Sequence, residues 1–136
     1  MISSNEALGV KARPKGRVVD ATALAEVRAL LGDAPRERTL LIEHLHRIQD
    51  RYGCLSPAHV VALAQEMRLA TTEVYEVATF YHHFDVLQDG EAPPPPVTIR
   101  VCETLSCRMA CAEALKNALA AHAGTAFRVV DAPCVG

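Results

Sequence analysis

The residues of this chain best equipped for chemistry are its five cysteines, Cys54, Cys102, Cys107, Cys111 and Cys134. Four of them fall within the last 35 of 136 residues. An odd number clustered in this way does not make a secreted disulfide framework. In a reducing compartment it points to metal, cluster or redox chemistry instead. Thiolate is the species that binds iron or zinc, and a [2Fe-2S] centre usually takes four such soft, anionic ligands. Zinc competes for the same donors, because its usual Cys-x2-4-Cys spacing admits the Cys-x4-Cys pair formed by Cys102 and Cys107. A Cys-x-x-Cys redox pair is absent. Cys102 taken alone would read as a small buried residue at a strand end. A third thiol, Cys134, shifts the weight toward ligation. Cys54 stands apart, in a turn between helices, and reads as structural.

Whether these thiols meet depends on the elements around them. Val97, Ile99 and Val101 alternate with Thr98 and Arg100, which predicts a strand of about six residues. Residues 108–122 (RMACAEALKNALAAH) are rich in Ala and Leu and predict a helix, stopped by Gly124. Phe127 to Asp131 predicts a second strand. Strand, helix and strand in this order form a βαβ unit, whose strands run parallel with a right-handed crossover. Parallel strands put Cys102, at the end of the first, and Cys134, just past the end of the second, on one edge. Cys107 is expected over that edge, in the loop that opens the helix. There the partial positive charge of a helix N-terminus would favour its thiolate.

The part of the chain before this unit has a helical period. Asp20 can cap a helix with Leu24, Val27, Leu30 and Leu31 inward and Gly32 at its end. A second helix starts after Pro35, carries Leu41, Leu45, Ile48 and Tyr52 on one face, and ends at Gly53. Ser56 and Pro57 open a third, with Val60, Val61, Ala64 and Met67 inward, and Thr71 or Thr72 opens a fourth with Val74, Val77, Ala78 and Tyr81. Such short helices persist only when packed, so a bundle is expected. Pro93 to Pro96 then favour a stiff polyproline II spacer. The resulting division is a basic mobile arm over residues 1–19, a helical bundle over 20–88, a proline-rich linker over 89–96 and the βαβ unit over 97–136. The arm carries Lys11, Arg13, Lys15 and Arg17 and reads as a solvated tail, or as a segment that orders against an acidic partner.

Composition narrows the function classes. Half the residues are hydrophobic, which excludes disorder over the whole length. The net charge of −2 leaves no electrostatic footprint for nucleic acid. Residues 57–81 imitate a helix-turn-helix, but no Lys or Arg lies between Arg68 and Arg100, while Glu73, Glu76, Asp85, Asp89 and Glu91 do. A recognition helix so composed would repel a duplex. No apolar run approaches the ~18 residues of a membrane span, and the N-terminus has no apolar signal-peptide core, so a cytoplasmic protein is expected. Adjacent His82 and His83 point about 100° apart on a helix, and His44 and His46 also face different sides, so neither pair reads as a chelate. Paired carboxylates, a Ser–His–Asp set and a Gly-rich phosphate loop are all missing, so no bond-making site is expected in this chain.

Several stretches of the sequence carry a family resemblance. They are Ile48-Gln49 through Tyr52-Gly53, Val74-Tyr75-Glu76-Val77-Ala78-Thr79-Phe80-Tyr81 with Phe84, Val101-Cys102 through Cys107, and Ala132-Pro133-Cys134-Val135-Gly136. Over about residues 20–136 the chain resembles the small thioredoxin-like [2Fe-2S] subunit of the NADH-oxidising module shared by respiratory complex I, NAD-reducing hydrogenases and NAD-dependent formate dehydrogenases. The resemblance implies an α/β chain in which a helical bundle precedes a thioredoxin-like unit. It implies a [2Fe-2S] cluster on Cys102, Cys107 and Cys134, which match the first three ligands of a Cys-x4-Cys, Cys-x3-Cys pattern. The fourth ligand would fall at position 138, past Gly136, so the natural chain is expected to continue, with two further strands and a helix. Cys111 replaces a usual glycine of the family and is a second candidate for that ligand. The basic arm and the Leu-Ile-Glu-His-Leu-His segment look closest to the N-terminal part of fused diaphorase subunits of formate dehydrogenases. The partners so implied are an FMN- and NADH-binding subunit, or a C-terminal domain of the same chain, and a further iron–sulfur subunit.

Overall fold

The structure is a computed structural model that describes residues 16–134. Four helices come first, α1 (Ala21–Leu31), α2 (Leu41–Tyr52), α3 (Pro57–Met67) and α4 (Thr71–Phe80). The βαβ part follows, with β1 (Val97–Cys102), the short α5 (Leu105–Met109), α6 (Ala112–His122) and β2 (Phe127–Ala132). Local chemistry sets most of these boundaries. The Asp20 carboxylate accepts from the Ala23 N–H at 2.8 Å and caps α1. Ser56 Oγ accepts from the His59 N–H at 3.2 Å, with Pro57 at the first turn of α3, where a missing donor costs nothing. Gly53, at φ 73°, closes α2 in the left-handed conformation that glycine adopts without strain. A 3-10 turn over Arg38–Leu40 leads into α2, so the second helix starts several residues later than Pro35 suggests.

The bundle core consists of Val27, Leu31, Leu45, Ile48, Leu55, Leu63 and Val74 with their neighbours, all nearly or wholly buried. Helix α3 is its centre, buried at His59 through Ala64 and again at Met67. On α1 the buried stripe is Ala23, Val27 and Leu31, at i, i+4 and i+8, while Leu24 and Leu30 are only partly buried. A small residue, Ala23, takes one of these buried positions, which a search for large apolar side chains passes over. Tyr81 lies one residue beyond α4 and is 40% exposed, so it flanks the core instead of filling it. His44 is buried, with Nε2 2.9 Å from the Pro35 carbonyl. His46 and His83 meet across the bundle, ring centroids 4.8 Å apart, a contact invisible to spacing along one helix.

The second strand pairs with the first in parallel, Val97 opposite Phe127 and Cys102 opposite Ala132. Pro93 to Pro96 lie outside any helix or strand. One expectation fails in the crossover. Instead of one helix over 108–122 there are two, broken at Cys111, whose φ of 67° no α-helix tolerates. The Ala-rich composition favours helix on both sides and conceals the break. Lys11, Arg13 and Lys15 of the basic arm lie outside the described residues. Arg17, within them, forms a two-pronged pair with Asp89 at 2.6 Å. Among the described residues, no helix is long and apolar enough to cross a membrane.

Candidate metal centre at one edge of the sheet

The parallel register gathers the thiols. Cys102 closes β1 opposite Ala132, and Cys134 lies two residues further along the β2 chain, past the same edge. The ladder runs one step beyond the strand, with the Glu103 N–H donating to the Ala132 carbonyl at 3.1 Å. Cys107 sits inside α5 and not in an open loop, because the chain turns helical immediately after Thr104. Cys102 and Cys107 are half-buried, while Cys111 and Cys134 are exposed. Cys102, Cys107 and Cys111 line one cavity of about 350 Å³, whose other walls are mostly apolar residues of β1 and α6, with Arg100 among them. Cys54 belongs to the bundle, buried, its Sγ 3.7 Å from the Tyr52 carbonyl. Burial pushes its thiol pKa up, and Asp85 adds to the effect, which suits an inert structural residue.

The thiols do not ionise as the sequence suggests. Cys102, not Cys107, is the readiest thiolate, its pKa lowered to about 7. The main cause is the Thr104 hydroxyl, 3.0 Å from Cys102 Sγ, followed by the Thr104 backbone N–H and then by the thiols of Cys107 and Cys134. Cys107 moves the other way, chiefly because its proton is held against the Cys102 sulfur. A helix of five residues has little dipole to offset that neighbour. Thr104, two residues after Cys102, is the site residue that sequence reasoning missed. A hydroxyl inside the Cys-x4-Cys loop was the available signal.

Soft thiolate donors of this kind take iron or zinc. Among the described residues, no three His, Cys, Asp or Glu side chains converge closely enough to hold one metal ion. Yet the Cys102 thiol interacts with both the Cys107 and Cys134 thiols. A binuclear cluster divides four ligands between two irons, so it asks for thiols around one rim, not for four on one point. A zinc site, by contrast, is tetrahedral about a single ion.

A family model described as thioredoxin-like [2Fe-2S] ferredoxin matches residues 27–134, from the bundle through Cys134. The chain belongs to this family. Its cofactor is accordingly a [2Fe-2S] cluster, and the α/β fold with a parallel thioredoxin-like unit agrees with that membership. The thioredoxin-like [2Fe-2S] chain is 32% identical to NADH-quinone oxidoreductase subunit 2 of Thermus thermophilus over 57% of its own length and 40% of the relative's. It is 30% identical to a subunit of the NADH-quinone oxidoreductase of Aquifex aeolicus, over 75% of its own length and 66% of that protein's. With the alpha subunit of the NAD-reducing hydrogenase HoxS of Cupriavidus necator it shares 27% identity over 74% of its length, and 17% of that longer protein is covered. The chain therefore spans from about a sixth to two thirds of the length of these relatives.

Proposed function

We propose that this chain is a [2Fe-2S] electron-transfer domain of an NAD-linked oxidoreductase assembly, of the formate dehydrogenase or NADH:quinone oxidoreductase type. It passes single electrons to or from an FMN- and NADH-binding module in the cytoplasm. That module is a partner subunit or a C-terminal domain of the same chain, with a further iron–sulfur subunit beyond it. The observation that carries the proposal is the parallel pairing of β1 with β2, which brings Cys102, Cys107 and Cys134 to one rim. These three thiols are the ligands; position 138 or Cys111 supplies the fourth. The functional division follows the sequence, with an arm over 1–19, a docking bundle over 20–88, a linker over 89–96 and the cluster unit over 97–136.

When bound, the cluster accepts and returns one electron at a time. The protein's part is to hold thiolate and to present one edge to a partner. Thr104 holds a hydroxyl 3.0 Å from Cys102 Sγ and biases that sulfur toward the anionic, ligating form. Ile99, Val101 and Leu119 give the rim an apolar wall, which lowers the local dielectric around the thiols. Docking falls to the bundle, where Phe80 is 77% exposed and Tyr75, Tyr81 and Ile42 are each exposed by about two fifths. Exposed aromatic side chains of this kind mark protein-interaction surfaces.

The test is anaerobic loading of the chain with iron and sulfide, followed by visible absorption and EPR of the reduced form. Cys102→Ser and Cys107→Ser are expected to abolish both signals, and Cys54→Ser to leave both unchanged. A Cys102→Ser protein with a full signal beside a silent Cys54→Ser protein would overturn the ligand assignment.

A further inference from the structure

Asp85 belongs to the bundle by its backbone and to the sheet by its carboxylate. Its N–H donates to Gln49 Oε1 at 3.1 Å, and its carbonyl accepts from the Leu55 N–H at 2.8 Å. Gln49 Nε2 returns a bond to the carboxylate at 3.1 Å. The other carboxylate oxygen accepts from the Arg128 guanidinium of β2, while Arg100 of β1 stands 3.9 Å from the oxygen that Gln49 holds. Both arginines are themselves braced: Arg128 Nε donates to Thr98 Oγ1 at 2.9 Å, and Arg100 donates to the His83 carbonyl at 3.1 Å. The Asp85 side chain is only 19% exposed.

The apolar core of the bundle takes in residues up to Val86 and includes no side chain of β1 or β2 among those described. The junction is therefore held by polar contacts, the Asp85 ion pairs and the Arg100 bond to the His83 carbonyl, and not by that core. Partial burial strengthens the attraction of one carboxylate for two guanidinium groups, and salt weakens what remains exposed.

We propose that Asp85 is a positioning residue: one carboxylate, shared by Arg100 and Arg128, sets the angle at which the thiol-bearing edge of the sheet is presented relative to the docking bundle. Without its charge, the sheet keeps only the Arg100 bond to the His83 carbonyl among these contacts and turns more freely about the segment after α4. The orientation itself needs no cluster. Its consequence for electron transfer rests on the function proposed above.

Spin labels on keto-bearing residues placed at Glu43 of α2 and Asn117 of α6, both exposed, leave every native cysteine untouched. Double electron–electron resonance then reads the bundle-to-sheet distance. The wild-type chain is expected to give one narrow distribution at low salt, widening in 1 M salt. Asp85→Asn, which keeps the shape and the Gln49 contacts, is expected to widen it at least twofold with the far-UV circular dichroism unchanged. Arg128→Gln breaks the same pair from the sheet side and is expected to do likewise should the Asp85 variant fail to fold. Asp85→Glu is expected to restore part of the order. A narrow distribution in both charge-removing variants, or a broad one in the wild type, overturns the proposal. An ordered wild-type junction on a chain that takes up no iron and sulfide would instead remove the electron-transfer function and leave the positioning role standing.

Discussion

The bundle and the βαβ unit are built to different standards of burial. In the bundle Val27, Leu45, Ile48, Leu55, Leu63 and Val74 have no exposed surface at all. In the βαβ unit Val101 and Ala132 are the buried apolar residues, at 7% and 8%, and α6 buries none of its side chains among those described. Leu105, Met109 and Leu115 are more than half exposed, all within eight residues of Cys107. Parallel sheets are normally covered on both faces, and this two-stranded one has an apolar flank open to solvent. The contrast is one of burial: the helical half closes its own apolar core, and the βαβ half, among the described residues, leaves its apolar flank open.

If that contrast is right, equal truncations in the two halves have unequal effects. Leu63→Ala, at 0% exposure in the centre of α3, is expected to destabilise the chain by about 3 kcal/mol, from lost transfer energy and the cavity left behind. Leu115→Ala, at 54% exposure on α6, is expected to change stability by less than about 1 kcal/mol. Urea unfolding of the two variants measures the difference, and equal losses would break the comparison. A smaller effect of opposite sign is expected at Cys111→Gly. Holding a non-glycine residue at positive φ costs about 1–2 kcal/mol, and glycine returns about 0.4–1 of that as unfolded-state entropy. Those two figures leave a net gain of up to about 1.5 kcal/mol in unfolding free energy. Iron content after loading separates the two candidates for the fourth ligand: loss of iron assigns it to Cys111, and unchanged iron rules Cys111 out.

Much of this architecture was legible in the sequence because it is written in local chemistry. Asp20, Ser56 with Pro57, Gly32 and Gly53 mark helix ends through bonds and dihedrals that depend on a few neighbouring residues. Alternation in Val97 to Val101 marked the strand, and the length of the crossover required a parallel partner, which placed Cys102 and Cys134 on one edge. What was not legible depends on contacts between distant residues. The break at Cys111 left no mark in an Ala-rich composition, and neither the meeting of His46 with His83 nor that of Asp85 with Arg128 follows from spacing. The expected favouring of the Cys107 thiolate by a helix N-terminus fails for a related reason. The helix dipole was the effect visible in one dimension, whereas a hydroxyl at 3.0 Å and a neighbouring thiol act at shorter range and outweigh it.

That ranking gives the finest test of the contrast between a sealed half and a reactive one. In the metal-free chain, alkylation of Cys102 by iodoacetamide is expected to rise through about pH 7, ahead of Cys107, because only the thiolate attacks. Cys54 is expected to stay unmodified in the folded state, being both buried and raised in pKa. Since the folded-state pKa of Cys102 is depressed, its ionisation contributes stability above the ordinary thiol range, and that contribution is lost as pH falls through about 7. Thr104→Ala removes the hydroxyl but keeps the backbone N–H, so the alkylation midpoint of Cys102 should climb part of the way toward an ordinary thiol. Thr104→Ser, which retains the hydroxyl, should hold it near the wild-type value. Peptide-resolved mass spectrometry across a pH series reads all three. A midpoint unmoved in Thr104→Ala would mean that the reactive rim owes its thiolate to the neighbouring sulfurs and not to the hydroxyl beside it.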